Sequence, residues 1–170
     1  IERRDLIGSD ELRQLHPQAK LPAVQVDGEA LFESTAICTY LCDLYPEKNL
    51  LARPGTRERA LHEQWCAFTL SEMEAYLWSN AKHRSFYPEE KRVPAVVEPN
   101  TEEFRAGASV LDKLLGSQEY VVGDSFTVTD ILVGWTLNWG RRMGSNDGFD
   151  NIPNYLKRLF ARPHCKLNQD

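Results

Sequence analysis

The sequence contains no long apolar run, no excess of basic residues, no internal repeat and no Cys-x-x-Cys pair. No stretch approaches the roughly 20 apolar residues that an α-helix needs to cross a bilayer, so a helical membrane span is excluded. A formal net charge of -5 and a pI near 5.4 supply no basic field for nucleic acid or for an anionic membrane surface, and neither is expected as a partner. Cys38, Cys42, Cys66 and Cys165 have no histidine at metal-ligand spacing, so no metal is expected, and reduced thiols in a cytosol are the expected state. Cys38 and Cys42 share one helix face, where small apolar side chains pack.

What is present is enough for a core. With 170 residues, 42% hydrophobic and 26% charged, the chain can fold as one compact unit or as two small domains. Between Pro46 and Pro54 the composition turns to Pro, Lys, Asn, Arg and Gly, which reads as a linker with a boundary near Arg53. An α/β part over residues 1–50 and an all-helical part over 54–170 are expected.

The α/β part centres on residues 20–45. Pro22-Ala23-Val24-Gln25-Val26, then Asp27-Gly28, then Glu29-Ala30-Leu31-Phe32 predicts two short strands joined by a tight turn, with Gly28 meeting its positive φ. Ser34 then caps a helix whose Ile37, Leu41 and Leu44 recur at i, i+4 and i+7, and which Pro46 stops. Upstream, Ile1–Leu6 reads as a strand, and Ser9 to Leu15 as a short helix ending at His16-Pro17. His16 reads as a partly buried spacer, with ligand contact as the alternative.

This stretch has features aimed at one small ligand. Pro22 has no N–H, and an X-Pro bond can be cis, which would let Leu21 turn its N–H and C=O outward toward an extended peptide. The first N–H groups of the Ser34 helix form a site for a carboxylate. Glu33 can hold an ammonium. Lys20 reads either as a solvated surface lysine or as the partner of a second carboxylate. A ligand with an amino-acid head, a peptide middle and an acidic tail fits, and glutathione has that layout.

In the helical part, a long helix runs from about Thr56 into the eighties with Leu61, Trp65, Phe68 and Leu77 on its apolar side and Met73 shifted around the face. Another starts at an Asn100-Thr101 cap and carries Phe104, Ala108, Leu111 and Leu115. The charged, proline-broken Tyr87–Pro94 is either a loop or the frayed start of that helix. Thr127 and Asp130 form a capping box, with Phe126 and Ile131 as its hydrophobic staple. Trp135 and Trp139, at i, i+4, are expected to pack on each other or on a common neighbour. Glu72 and Glu74 are placed on solvated faces. Asn151 to Tyr155 opens a last helix with a proline in its first turn, and Lys166 to Asp170 is a loose polar tail.

Pro17-Gln18-Ala19-Lys20-Leu21-Pro22-Ala23-Val24 resembles the cis-proline segment of the glutathione S-transferase superfamily. Phe32-Glu33-Ser34-Thr35-Ala36-Ile37 resembles its Glu/Gln-Ser helix start, and Phe126-Thr127-Val128-Thr129-Asp130-Ile131 its buried capping box. The likeness covers nearly the whole chain and is nearest to bacterial members. It implies a thioredoxin-like domain lacking its first strand and helix, followed by an all-α domain. It also implies glutathione as co-substrate, a small electrophile or peroxide as acceptor, a detoxifying cytoplasmic enzyme and a homodimer. Lys20, Leu21, Pro22, Glu33 and Ser34 would bind glutathione. Tyr76, Trp78 and Trp139, with His83 nearby, would offer an apolar pocket for a flat ring, although aromatic residues at helical spacing commonly fill a core. The family's thiol-activating Ser, Tyr or Cys is expected in a strand-turn-helix of roughly 20 to 30 residues preceding Ile1. No residue here is assigned that role. A non-catalytic module that keeps the fold is the alternative, and a glutathione-dependent reductase or dehalogenase is a second enzymatic one.

Overall fold

A computed structural model describes residues 6–166. The strand expected at Ile1–Leu6 and the tail from Lys166 fall, but for Leu6 and Lys166 themselves, outside these residues. The chain divides between Leu51 and Ala52 into two compact units.

In the first unit, α1 (Asp10–Arg13) is started by Ser9, whose Oγ accepts the Leu12 N–H at 3.1 Å. Strands β1 (Ala23–Val26) and β2 (Glu29–Phe32) pair antiparallel, from Ala23 opposite Phe32 to Val26 opposite Glu29. Asp27 and Gly28 turn between them at φ 51° and 88°, the left-handed pair that a two-residue hairpin loop requires. Helix α2 (Ser34–Leu44) follows. Of its expected apolar row Ile37 is buried, but Leu41 and Leu44 remain 47% and 49% exposed. Two strands of four residues each are short, and the later turns of α2 find no such cover among the described residues.

In the second unit, Thr56 accepts the Arg59 N–H and opens α3 (Arg57–Thr69). The long helix expected here is broken twice. A π turn at Leu70–Glu74 leads into α4 (Ala75–Ala81), and a second π turn spans Lys82–Phe86. The wider first turn accounts for the shift of Met73: five residues after Phe68, it returns to the core that also holds Trp65 and Leu77. Tyr87–Pro94 holds a 3₁₀ turn at Glu89–Lys91, and a second at Pro94–Val96 runs directly into α5 (Val97–Leu115).

Helix α5 therefore begins three residues before the expected cap. Pro99 lies in its first turn, where a missing N–H leaves no bond unmade. Asn100 is instead used across the helices: its Nδ2 donates to Ser79 Oγ and Asn80 Oδ1, both at 2.9 Å, and Asn80 Nδ2 donates back to the Val97 carbonyl at 3.1 Å. Helices α6 (Val128–Arg142) and α7 (Ile152–Phe160) complete the unit. Phe104, Leu111, Val133, Leu137, Ile152 and Tyr155 are fully buried at its centre.

The capping box forms as expected and extends further. Asp130 accepts the Thr127 N–H at 2.8 Å, and also the Val121 N–H at 2.9 Å. Ile131 is 46% exposed, while Phe126 meets Tyr120 edge-on and the Arg162 guanidinium over its face, so the phenylalanine is anchored by those groups. Glu74 corrects another expectation. It is half-buried, and its Oε2 accepts the Thr136 hydroxyl at 2.7 Å rather than standing on a solvated face.

Candidate functional site

The site region is built by the hairpin. The Leu21–Pro22 bond is cis, immediately before β1. Ala23, which opens β1, pairs with Phe32, which closes β2, so the Leu21–Pro22 bond and the Glu33–Ser34 step both lie at that end of the hairpin. Two segments a dozen residues apart in sequence thus leave the sheet at the same end. Among the described residues, the N–H and C=O of Leu21 take no hydrogen-bond partner, and its side chain is 39% exposed.

The approach to this corner is fixed from below. Ala19, buried at φ 49°, donates its N–H to the His16 carbonyl at 2.8 Å and accepts the Gly8 N–H at 3.0 Å. His16 is 6% exposed. Its Nδ1 accepts the Gln18 N–H at 3.0 Å, and its ring lies against Phe32 at 4.8 Å. It is therefore the spacer the sequence suggests, tying the proline loop to the last residue of β2. Lys20 is exposed at the lip.

Ser34 is not the N-cap. That position belongs to Glu33, at φ 72° and ψ 118°, whose carbonyl accepts the Ile37 N–H at 3.0 Å. The chain reverses through Glu33, so Ser34 is already the first helical residue. Its N–H and those of Thr35 and Ala36 then have no intrahelical acceptor, which leaves donors at the positive end of the helix dipole. A left-handed backbone at a residue with a side chain costs about 1–3 kcal/mol and clusters at ligand-binding corners. The corner can therefore receive an extended main chain beside Leu21 and an anion at the start of α2, with the Glu33 carboxylate exposed beside them.

The aromatic candidates lie in the second unit and divide. Trp78 and Trp139 meet edge-on with ring centroids 5.2 Å apart. Tyr76 is half-buried against the core; two residues from Trp78 on a helix, it points to another side. Trp139 takes Trp78 as its ring neighbour, while Trp135 is 51% exposed. His83 is committed locally, its Nδ1 accepting the Val93 N–H at 3.1 Å and its ring meeting Tyr87. Phe86, eight residues beyond Trp78, stands 5.7 Å from it and is 68% exposed.

Burial pushes the Cys38 thiol upward, so it stays protonated and is a poor nucleophile at neutral pH. The four cysteines form no disulfide. Among the described residues no group of His, Cys, Asp and Glu is arranged to hold a metal, and no helix is long and apolar enough to cross a membrane.

Comparison with known proteins identifies the family and the fold. The family model for the glutathione S-transferase N-terminal domain matches residues 3–49, and that for the C-terminal domain residues 71–163. The chain is similar to glutathione S-transferase GstA of Escherichia coli, 24% identical over 170 residues that cover 98% of this chain and 80% of the relative. It is also similar to elongation factor 1-gamma 3 of Oryza sativa, 30% identical over 92% of this chain but only 38% of that protein. A sphingomonad glutathione S-transferase solved with glutathione has the same fold, with a TM-score of 0.80 at 23% identity over 94% of this chain and 78% of its own. A thioredoxin-like first unit, here with a two-stranded sheet, precedes a helical second one, and the chain belongs to the glutathione S-transferase family.

Proposed function

We propose that the protein binds glutathione at the corner formed by Lys20, Leu21, Pro22, Glu33 and Ser34 and directs its thiolate at a small acceptor, either an electrophile or a peroxide. The observation that supports this reading is the hairpin register, whose last pair, Ala23 with Phe32, leaves the unpaired main chain of Leu21 and the open N-terminus of α2 at the same end of the sheet. Leu21 pairs with the peptide middle of the ligand. The Ser34 hydroxyl and the first N–H groups of α2 hold one carboxylate, Glu33 the ammonium, and Lys20 the remaining carboxylate. Trp78 and Trp139 seat the acceptor, while Tyr76 packs on the core. In conjugation the glutathione thiolate forms a new S–C bond, the leaving group departs with its electron pair, and the thiol proton goes to solvent. With a peroxide the thiolate bonds to the outer oxygen as the O–O bond breaks and the alcohol leaves, and a second glutathione turns the sulfenic acid into glutathione disulfide and water. The residues named here bind and position both molecules. The reading includes a cytoplasmic homodimer, in keeping with the family and with four cysteines free of disulfides.

Calorimetric titration of the protein with glutathione tests the corner. Ser34→Ala and Glu33→Ala should each weaken binding about 10-fold or more, the effect of losing a charge-assisted hydrogen bond. Conjugation to 1-chloro-2,4-dinitrobenzene, in which sulfur displaces chloride, tests transfer. The likeness to elongation factor 1-gamma 3, a protein not named as a transferase, favours a second reading, a module of the glutathione S-transferase fold without catalysis. Binding without turnover in a polypeptide that carries the family's thiol-activating residue selects that second reading; no binding at all, or binding indifferent to both substitutions, overturns the assignment of the corner.

A further inference from the structure

Three pairs of side chains step along the seam between α6 and the helix that runs from Leu70 to Phe86. Glu74 accepts the Thr136 hydroxyl at 2.7 Å, Trp78 meets Trp139 edge-on at 5.2 Å, and Arg84 Nη1 reaches Met143 Sδ at 4.0 Å. The middle pair is open to solvent. Trp78 is 42% exposed, and Phe86, tilted against it, is 68% exposed.

The second π turn builds this patch. An α-helix completes two turns in about 7.2 residues, so a residue eight places on would swing off the Trp78 face. A π turn takes up the additional residue and returns Phe86 to Trp78. Such turns are uncommon and concentrate at functional sites. Touching, solvent-exposed rings of this size mark a surface for a ligand with a flat apolar face.

The charges beside the patch select the ligand. Residues 82–92 carry Lys82, Arg84, Lys91 and Arg92 against Glu89 and Glu90, a local cationic excess on a chain of net charge -5. Arg92 is committed, donating from Nε to the Tyr87 carbonyl at 2.8 Å and from Nη2 to the Ser85 carbonyl at 3.0 Å. Arg84 is exposed and rests on a thioether, a weak acceptor, which leaves most of a five-donor guanidinium to solvent. The one acid of the seam, Glu74, is half-buried and engaged by Thr136. Met143 lies four residues beyond Trp139, about 6 Å along the axis of α6, so an anion carried directly on a ring seated at Trp78 comes within reach of Arg84.

We propose that Trp78, Phe86 and Trp139 seat a planar aromatic ring that carries an anionic group, and that Arg84 receives the anion. This rests on the reading of Trp78 and Trp139 as the acceptor seat and narrows the acceptor to aromatic anions. Calorimetry with 1-naphthoate, 1-naphthylmethanol and 1-naphthylmethylammonium tests it on the whole chain. Naphthoate should bind about fivefold more tightly than the alcohol, the upper range for an exposed charge pair, and the margin should shrink with salt. Arg84→Gln should erase that margin. Phe86→Ala, at a highly exposed position that the fold does not need, should weaken all three ligands. Equal or tighter binding of the alcohol or the ammonium, or a margin that survives Arg84→Gln, overturns the proposal. A parallel glutathione titration separates the two readings: its failure removes the glutathione corner, while the naphthoate margin alone decides the aromatic anion.

Discussion

Tyr155 of α7 donates its phenolic hydrogen to Asp130 Oδ1 at 2.9 Å, and neither side chain has any solvent exposure. The carboxylate thus closes the N-terminus of α6, holds the Val121 N–H and anchors α7 at one point. Burial, the largest influence, raises the Asp130 pKa, partly offset by the Val121 and Thr127 N–H groups and the Tyr155 hydroxyl. The Tyr155 pKa is itself raised well above the ordinary phenol value, by burial first and then by the neighbouring carboxylate, so the hydroxyl remains a donor at neutral pH. Tyr155→Phe leaves the shape and removes one donor. A loss of about 1.5–3 kcal/mol at neutral pH is expected in urea unfolding, as for a hydrogen bond to a charged group. A loss under about 0.5 kcal/mol would show that the bond contributes little.

The same site sets a pH dependence of defined sign. A carboxyl whose folded pKa lies above its unfolded value binds protons more readily in the folded state, so its contribution is complete below the unfolded pKa of about 3.9 and is lost as pH rises through the raised value. Asp130→Asn removes this titration. The stability of the parent minus that of Asp130→Asn should therefore fall as pH rises from about 4. A difference that grows with pH would mean the hydrogen bonds outweigh burial.

Close approach of helices gives a third expectation. A Cβ on Gly107 would lie 2.7 Å from Met73 Cγ and 2.9 Å from the Glu72 carbonyl oxygen. Met73 can shift, but the carbonyl belongs to the π turn and cannot. Gly107→Ala should lower stability by about 1–3 kcal/mol, read as a lower urea midpoint at unchanged slope. Unaltered stability would show that α5 can slide on the π turn.

The sequence made the hairpin legible because Asp27-Gly28 and the flanking alternation are local signals, and Thr127 with Asp130 because a capping box spans one turn. Its limits were where partners are distant or the helix leaves its usual pitch. Ser34 looked like a cap by residue type, yet the turn was taken by Glu33, whose left-handed backbone no propensity favours. Asn100-Thr101 likewise looked like a cap and served instead to join α5 to Ser79 and Asn80. Phe86 was hidden by the π turn, and the trace of the first π turn, the displaced Met73, was visible but unexplained. Leu41 and Leu44 read as a buried row because periodicity records a face and not what covers it.

His16 offers a test of positioning without ligand contact. Its imidazole accepts the Gln18 N–H and packs on Phe32, so it connects the loop bearing Lys20 and Leu21 to the end of β2 that leads into Glu33. His16→Ala removes both links and opens space beneath Ala19. A stability loss of about 1–3 kcal/mol should follow from the unsatisfied N–H and the missing ring. Glutathione affinity should also drop severalfold, because the loop bearing Lys20 and Leu21 would no longer be tied to the end of β2. His16→Asn, whose side-chain oxygen can accept the Gln18 N–H, should recover more affinity than stability, since the acceptor is restored but the ring contact is not. If both variants lost stability while glutathione bound as before, the loop would be folded by the ligand itself, and His16 would have no part in positioning it.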